Sequence, residues 1–87
     1  MKTEKVILKN ETGLHARPAS ELTKLASTFK CNINLVVGEK VFNPKSILAV
    51  MGAGVKANTE IEIQCDGEDE EQALKALVEA FDNKFGE

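Results

Sequence analysis

The only histidine of the chain, His15, stands in Gly13-Leu14-His15-Ala16-Arg17-Pro18, where a turn signal gives way to a helical pattern. A neutral imidazole carries one nitrogen lone pair and is a competent nucleophile. If that nitrogen took a phosphoryl group, the new anion would lie against the backbone N–H groups of Ala16 and Arg17. Such groups have no acceptor in the first turn of a helix and favour negative charge. Arg17 adds a fixed positive charge with planar donors. The competing reading treats His15 as an incidental surface residue, with Gly13 supplying a left-handed turn and Pro18 stiffening the helix start. That reading implies that His15→Ala is silent.

Ser46 is the second candidate, a hydroxyl beside Lys45 that precedes Ile47-Leu48-Ala49-Val50-Met51 and is a good helix N-cap. Its phosphorylation would add about two negative charges to an otherwise basic surface. Nothing else resembles a reactive constellation. There is no Ser-His-Asp set and no carboxylate pair with an evident acid/base task. Gly52-Ala53-Gly54 lacks the Lys-Ser/Thr of a phosphate loop. Cys31 and Cys65 form no CxxC, and one His leaves too few ligands for zinc, so no metal or cofactor is expected and both thiols read as reduced and buried. Asn10-Glu11-Thr12 matches a glycosylation sequon only formally, because no signal-type apolar stretch precedes it.

The elements that must carry these residues follow from hydrophobic spacing. Val6 and Leu8 alternate with Lys5, Ile7 and Lys9 as a short strand with one face on a core. The residues Ala19, Leu22, Leu25, Ala26 and Phe29 form one stripe of a helix that starts at Ala16. Ile33, Leu35 and Val37 alternate again, Gly38-Glu39 suits a II′ hairpin, Val41-Phe42 returns, and Pro44 ends that strand. A short helix follows Ser46, with Gly52 and Gly54 as stops. Ile61, Ile63 and Cys65 alternate in a further strand closed by Asp66-Gly67. Ala73, Leu74, Leu77, Val78, Phe81 and Phe85 form a last helical stripe, with Asp69, Glu70 and Glu71 at its start, Lys84 near its end and Gly86 after it. The order is β-α-β-β-α-β-α, and helices on one side of a mostly antiparallel four-stranded sheet bury every apolar face.

Composition fits one small domain over residues 1–87: 43% of the residues are hydrophobic and 29% charged, within the ordinary globular range. With no Trp or Tyr and four Phe wanted for the core, base-stacking recognition of RNA is excluded. The longest apolar run is far too short to span a bilayer, which points to a cytoplasmic protein, with monomer as the default state. Charge is divided unevenly. Residues 1–58 hold 9 Lys and Arg against 4 Asp and Glu, and residues 59–87 hold 2 against 10. The basic portion suits acidic partners or phosphorylated groups, and the acidic portion disfavours nucleic acid.

Gly13-Leu14-His15-Ala16-Arg17-Pro18-Ala19 resembles the active-site signature of the HPr phosphocarrier family of the bacterial sugar phosphotransferase system. The likeness extends over the whole chain, through the element order, Lys45-Ser46-Ile47 before a short apolar helix, and the acidic lead-in to the last helix. It implies an α+β, open-faced β-sandwich, with three helices on one face of a four-stranded antiparallel sheet. It further implies a relay in which enzyme I phosphorylates His15 on Nδ1 and His15 passes the group to enzyme IIA components. Arg17 would balance the phosphoryl charge, and Ala16, Ser20, Ile47, Leu48 and Met51 would dock partners. Ser46 matches the family's regulatory serine, modified by an HPr kinase/phosphorylase and read by a catabolite-control transcription factor. The family's usual Asn-Ala-Lys-Ser is here Asn43-Pro44-Lys45-Ser46, and its Met-Ser-Leu-Gly type segment is Met51-Gly52-Ala53-Gly54. The alternative is an HPr-like regulatory module acting through Ser46 without sugar transport. On either reading the protein is a carrier or module rather than a turnover enzyme.

Overall fold

The computed structural model describes residues 1–87. Its elements are β1 (Lys2–Ile7), α1 (Ala16–Ser27), β2 (Asn32–Val37), β3 (Lys40–Phe42), α2 (Ile47–Ala53), β4 (Glu60–Asp66) and α3 (Glu70–Asp82), with a 3-10 turn over Lys84–Gly86. The strands lie in the order β1-β4-β2-β3, each neighbouring pair antiparallel, so β4 and β2 are central and β1 and β3 are the edges. Three helices cover one face, giving the open-faced sandwich and the element order that the sequence implies.

Register explains why that face is apolar. Val6 stands opposite Ile61, Leu35 opposite Ile63 and Ile33 opposite Cys65, so the period-two side chains of three strands point the same way. Ala19, Leu22 and Ala26 of α1, Val50 of α2, and Ala73, Leu77 and Phe81 of α3 close over them, within a core of 17 buried residues. Each Leu, Ile or Phe removed from water here contributes about 1.5–3 kcal/mol before ordering entropy is counted. The opposite face of the sheet is largely polar, with Lys5 and Glu60 paired across strands at 3.8 Å, and also carries Ile7, Val36 and Val41. Phe29, Phe42 and Phe85 pack against the core and Phe81 lies inside it, so no phenylalanine is left for stacking on a nucleobase.

The hairpin between β2 and β3 has the two-residue connection that the sequence predicts, with Gly38 at φ 59° and Glu39 outside the left-handed region. Three helix ends differ from expectation, the first being that α1 stops at Ser27 and leaves Phe29 of its apolar stripe beyond the helix. Gly52 is not a stop: α2 continues through it to Ala53, and Gly54 alone ends the helix, left-handed at φ 60° with its N–H donating to Met51 O. A glycine terminates a helix only by leaving helical dihedrals, and Gly52 keeps them. Likewise α3 stops at Asp82 rather than running to Gly86, because Lys84 and Phe85 adopt φ of 59° and 54°. Phe85 therefore leaves the helical stripe and returns edge-on against Phe81, ring centroids 4.9 Å apart. Lys84, expected near the end of the helix, lies beyond it.

Asp69 joins the start of α3 to the start of β2. Its carboxylate accepts the backbone N–H of Lys30 at 2.8 Å and of Cys31 at 2.9 Å. The Lys30 bond foremost holds the Asp69 carboxyl below its ordinary range. Glu70, which accepts from Gly67 N, is lowered for the same kind of reason. Both cysteines are buried and reduced. Burial, helped by Asp69, pushes the Cys31 thiol up to about 12, and burial also raises Cys65, so neither forms thiolate near neutrality.

A depressed folded-state pKa gives stability that is complete above the unfolded value of about 4 and is lost as pH falls through the folded value. Denaturant unfolding between pH 7 and pH 2 should therefore show wild type losing stability below about pH 4. Asp69→Asn should be less stable at pH 7 and show a shallower acid slope, and an unchanged slope would contradict this assignment.

Candidate functional site

His15 is the N-cap residue of α1, with extended backbone dihedrals of φ −77° and ψ −172° and no side-chain capping bond. The helix begins at once: Ala19 N donates to His15 O at 3.0 Å. Pro18 occupies the first turn, where its missing N–H costs nothing, and its ring is buried. No acceptor in the structure meets the N–H groups of Ala16 and Arg17, which are exposed beside the histidine. The His15 side chain is 42% exposed. Arg17 is exposed and enters no ion pair or side-chain hydrogen bond, so its guanidinium is uncommitted.

The turn that presents His15 is pinned from both sides. Gly13 N donates to Asn10 O and Leu14 N donates to Val55 O, each at 3.0 Å, while the Leu14 side chain is buried. Gly13 has φ 75°, and a Cβ built on it would stand 2.5 Å from Val55 O. Only glycine meets both requirements. The segment after α2 thus forms one wall of an open hollow beside His15, lined by Glu11, Thr12, Leu14, Val55 and Lys56 among others.

The expected docking residues lie on α1 and α2, which pack against each other. Ala16 is exposed and Ser20 half-buried, while Ile47, Leu48 and Met51 are 39%, 82% and 47% exposed. Ser46 is exposed at the opposite end of α2 from the His15 hollow, about 10 Å away along a seven-residue helix. Its Oγ caps α2 by accepting from Ala49 N at 3.3 Å. Lys45 does not join the surface charge. Its Nζ donates to Phe29 O and Cys31 O at 2.8 Å each, fastening the α1–β2 connection. Sequence reasoning did not single out two residues near the site. Asn10 is 1% exposed, and the Glu87 carboxylate reaches within 3.4 Å of His15 Nε2. A turn asparagine and an isolated glutamate give no periodic signal that could have marked them.

The family model for the phosphorylation site of the HPr component of the phosphotransferase system matches residues 2–83. The chain belongs to the HPr family. It is 51% identical over 75 residues to a phosphocarrier protein HPr of Mycoplasma capricolum, covering 86% of this chain and 84% of that one. An HPr from Thermoanaerobacter tengcongensis superposes with a TM-score of 0.96 at 42% identity, covering 100% of this chain and 98% of that one. A dimeric form of HPr from the same organism superposes at 0.80, at 42% identity and full coverage of both chains. The fold and the element order are thus those of an HPr phosphocarrier protein, and no helix is long and apolar enough to cross a membrane.

Gly13 and Gly52 offer a paired test. Gly13→Ala should lose about 2 kcal/mol or more in denaturant unfolding, from left-handed strain and the clash with Val55 O. Gly52→Ala, with open space around the new methyl group, should gain up to about 1 kcal/mol. Equal effects would contradict the assignment of these two positions.

Proposed function

We propose that residues 1–87 act as one phosphocarrier domain in which His15 accepts a phosphoryl group on Nδ1 from phospho-enzyme I and passes it to enzyme IIA components of sugar transporters. The observation that carries this reading is the pairing of an exposed imidazole with unpartnered N–H groups of Ala16 and Arg17 and an uncommitted Arg17 guanidinium. In the transfer, the His15 lone pair attacks phosphorus, the bond from phosphorus to the donor breaks, and its electron pair returns to the donor. The phosphoryl oxygens then meet two backbone donors and a planar cation, a combination suited to a dianion. The chain supplies no acid or base for the step, in keeping with a carrier whose chemistry is completed by each partner rather than a turnover catalyst.

Partners would dock on the apolar residues Ile47, Leu48 and Met51 and on Ala16 and Ser20, close to the nucleophile. Enzyme I and enzyme IIA are the partners this reading names, in the cytoplasm and with a monomer as the acting species. The monomer is supported by edge strands that are charged or short: β1 carries Lys2, Glu4 and Lys5, and β3 has three residues.

A second reading concerns Ser46, favoured by its exposure beside the apolar patch. Phosphorylation by an HPr kinase/phosphorylase would place about two negative charges there. Lys45 would act on them only through space, because its ammonium is held by Phe29 O and Cys31 O. The modification would weaken enzyme I docking and could be read by a catabolite-control transcription factor.

Intact-mass spectrometry after incubation with phosphoenolpyruvate, Mg²⁺ and enzyme I tests the carrier reading. One acid-labile phosphoryl group is expected on wild type and none on His15→Ala. No adduct on wild type, with enzyme I active on another carrier, would overturn it in favour of a regulatory module acting through Ser46. Under the same conditions Ser46→Asp should accept phosphate more slowly than wild type, and an equal rate would remove the electrostatic account of Ser46.

A further inference from the structure

Most lysines of the chain have an acceptor within the fold. Lys2, Lys5, Lys9 and Lys24 face carboxylates, and Lys40 and Lys45 donate to backbone carbonyls. Lys56 differs from these. It is exposed, enters no ion pair or side-chain hydrogen bond, and lines the hollow that His15 borders. We propose that Lys56 is the second cation of this hollow and binds the oxygens of a phosphoryl group carried on His15. The proposal rests on the reading of His15 as the phosphoryl acceptor, and adds to it a charge supplied from outside α1.

The backbone of Lys56 is held at the site. Leu14 N donates to Val55 O at 3.0 Å, Val55 itself is buried, and a Cβ built on Gly13 would stand 3.2 Å from Lys56 Cα. The α-carbon of Lys56 therefore lies against the turn that presents His15. Beyond Cα the side chain is unrestrained, and a flexible stem lets a lysine ammonium adjust to the oxygens it meets.

The charges around the hollow show what such a cation contributes. The ionisable neighbours of the imidazole are Arg17 on α1, Glu11 and Lys56 on the walls of the hollow, and Glu87, whose carboxylate lies 3.4 Å from Nε2. Lys84 lines an adjoining hollow with Glu11 and Glu87 and stands outside that of His15. Without Lys56, a phosphoryl dianion would meet two carboxylates with Arg17 as its only nearby side-chain cation. Glu11 enters no ion pair, so its charge is not neutralised within the fold either. Lys56 offsets this excess. As a compact ammonium with three donors on the segment after α2, it complements the planar guanidinium that Arg17 supplies from α1.

In the transfer the lone pair of Nδ1 forms the new bond to phosphorus while the donor bond breaks and its electron pair returns to the donor. Lys56 keeps its protons before and after the step. Its part is to hold the oxygens of the transferred group through charge and hydrogen bonding.

The test is a ³¹P NMR titration of the phosphorylated protein. The group is loaded from phospho-enzyme I or, independently of that donor, from phosphoramidate, and mass spectrometry confirms one group that His15→Ala lacks. A protein-bound phosphoryl group loses its last proton near about pH 6, and a neighbouring cation favours the dianion and lowers that midpoint. Lys56→Ala should therefore raise the midpoint by about 0.2–0.5 pH unit at low salt. The difference should shrink at about 1 M salt, where the screening length is about 3 Å. Lys56→Arg should keep the wild-type midpoint, and Lys75→Ala, which removes an unpaired lysine on α3, should leave it in place. An unmoved midpoint in Lys56→Ala, or an equal shift in Lys75→Ala, would overturn the proposal even if acceptance from phospho-enzyme I slowed, because a residue that only docks the partner changes the rate and not the bound group. If phospho-enzyme I transferred nothing to wild type, the carrier reading would fall, while the phosphoramidate-loaded protein would still decide whether Lys56 binds the group.

Discussion

The geometry of this protein depends on a close approach between two backbone segments that are far apart in sequence. Leu14 N donates to Val55 O, and the absent side chain of Gly13 lets the turn before α1 lie directly on the Val55-Lys56 peptide. That contact fixes where α1 begins, and hence where His15 stands. It also sets the end of α2 beside the histidine, with Gly54 and Val55 lining the hollow that His15 borders. Elsewhere, alternating apolar residues tolerate small shifts, because a core accepts repacking at modest cost. A backbone-to-backbone contact with no intervening side chain has no such latitude.

Around this fixed turn the molecule separates structural charge from available charge. Lys45 spends two of its ammonium donors within the fold, and Asp69 gives both oxygens to the backbone of Lys30 and Cys31. Arg17 is kept free. The unequal division of charge along the sequence is therefore only a first guide to the surface, since some of the basic residues counted in it have ceased to be surface cations. Near His15 the surface offers a small apolar patch with one uncommitted guanidinium; on the proposed carrier role, a patch of that size would give little affinity alone and let one partner be exchanged for the next.

Most of the architecture was legible because it rests on period. Ile61, Ile63 and Cys65 marked a strand half-buried on one side, which lies where that pattern places it, and the stripe from Ala19 to Phe29 marked an amphipathic helix, which ends at Ser27 and leaves Phe29 just beyond it. The places where reading failed are governed by dihedral choices that leave no periodic trace. Gly52 and Gly54 are the same residue type two positions apart, yet only the second turns left-handed. Phe85 continues the helical spacing from Phe81, and the chain nevertheless breaks at Lys84, satisfying the same burial by a different path. His15 and Arg17 were legible as a pair because nucleophile and cation lie within one turn. Glu87 comes near Asn10 and His15 only through the reversal after α3, so its sequence position carries no signal of either contact. The inward turn of Lys45 was equally hidden, since a lysine beside an exposed serine reads as surface.

The placement of β1 at a sheet edge bears on how the chain is made. β1 is synthesised first, and its only hydrogen-bonded neighbour is β4, with Lys2 opposite Cys65. During synthesis the first strand must wait, unpaired, until most of the chain has emerged, and β2 likewise gains its second neighbour only when β4 arrives. The sheet is therefore completed late and nearly all at once around its central strand. Helix α1 and the β2–β3 hairpin can form locally in the meantime, but the turn bearing His15 acquires its final shape only as β4 docks. A truncated or stalled nascent chain accordingly lacks an assembled site, and the capacity to carry a phosphoryl group arrives together with completion of the fold.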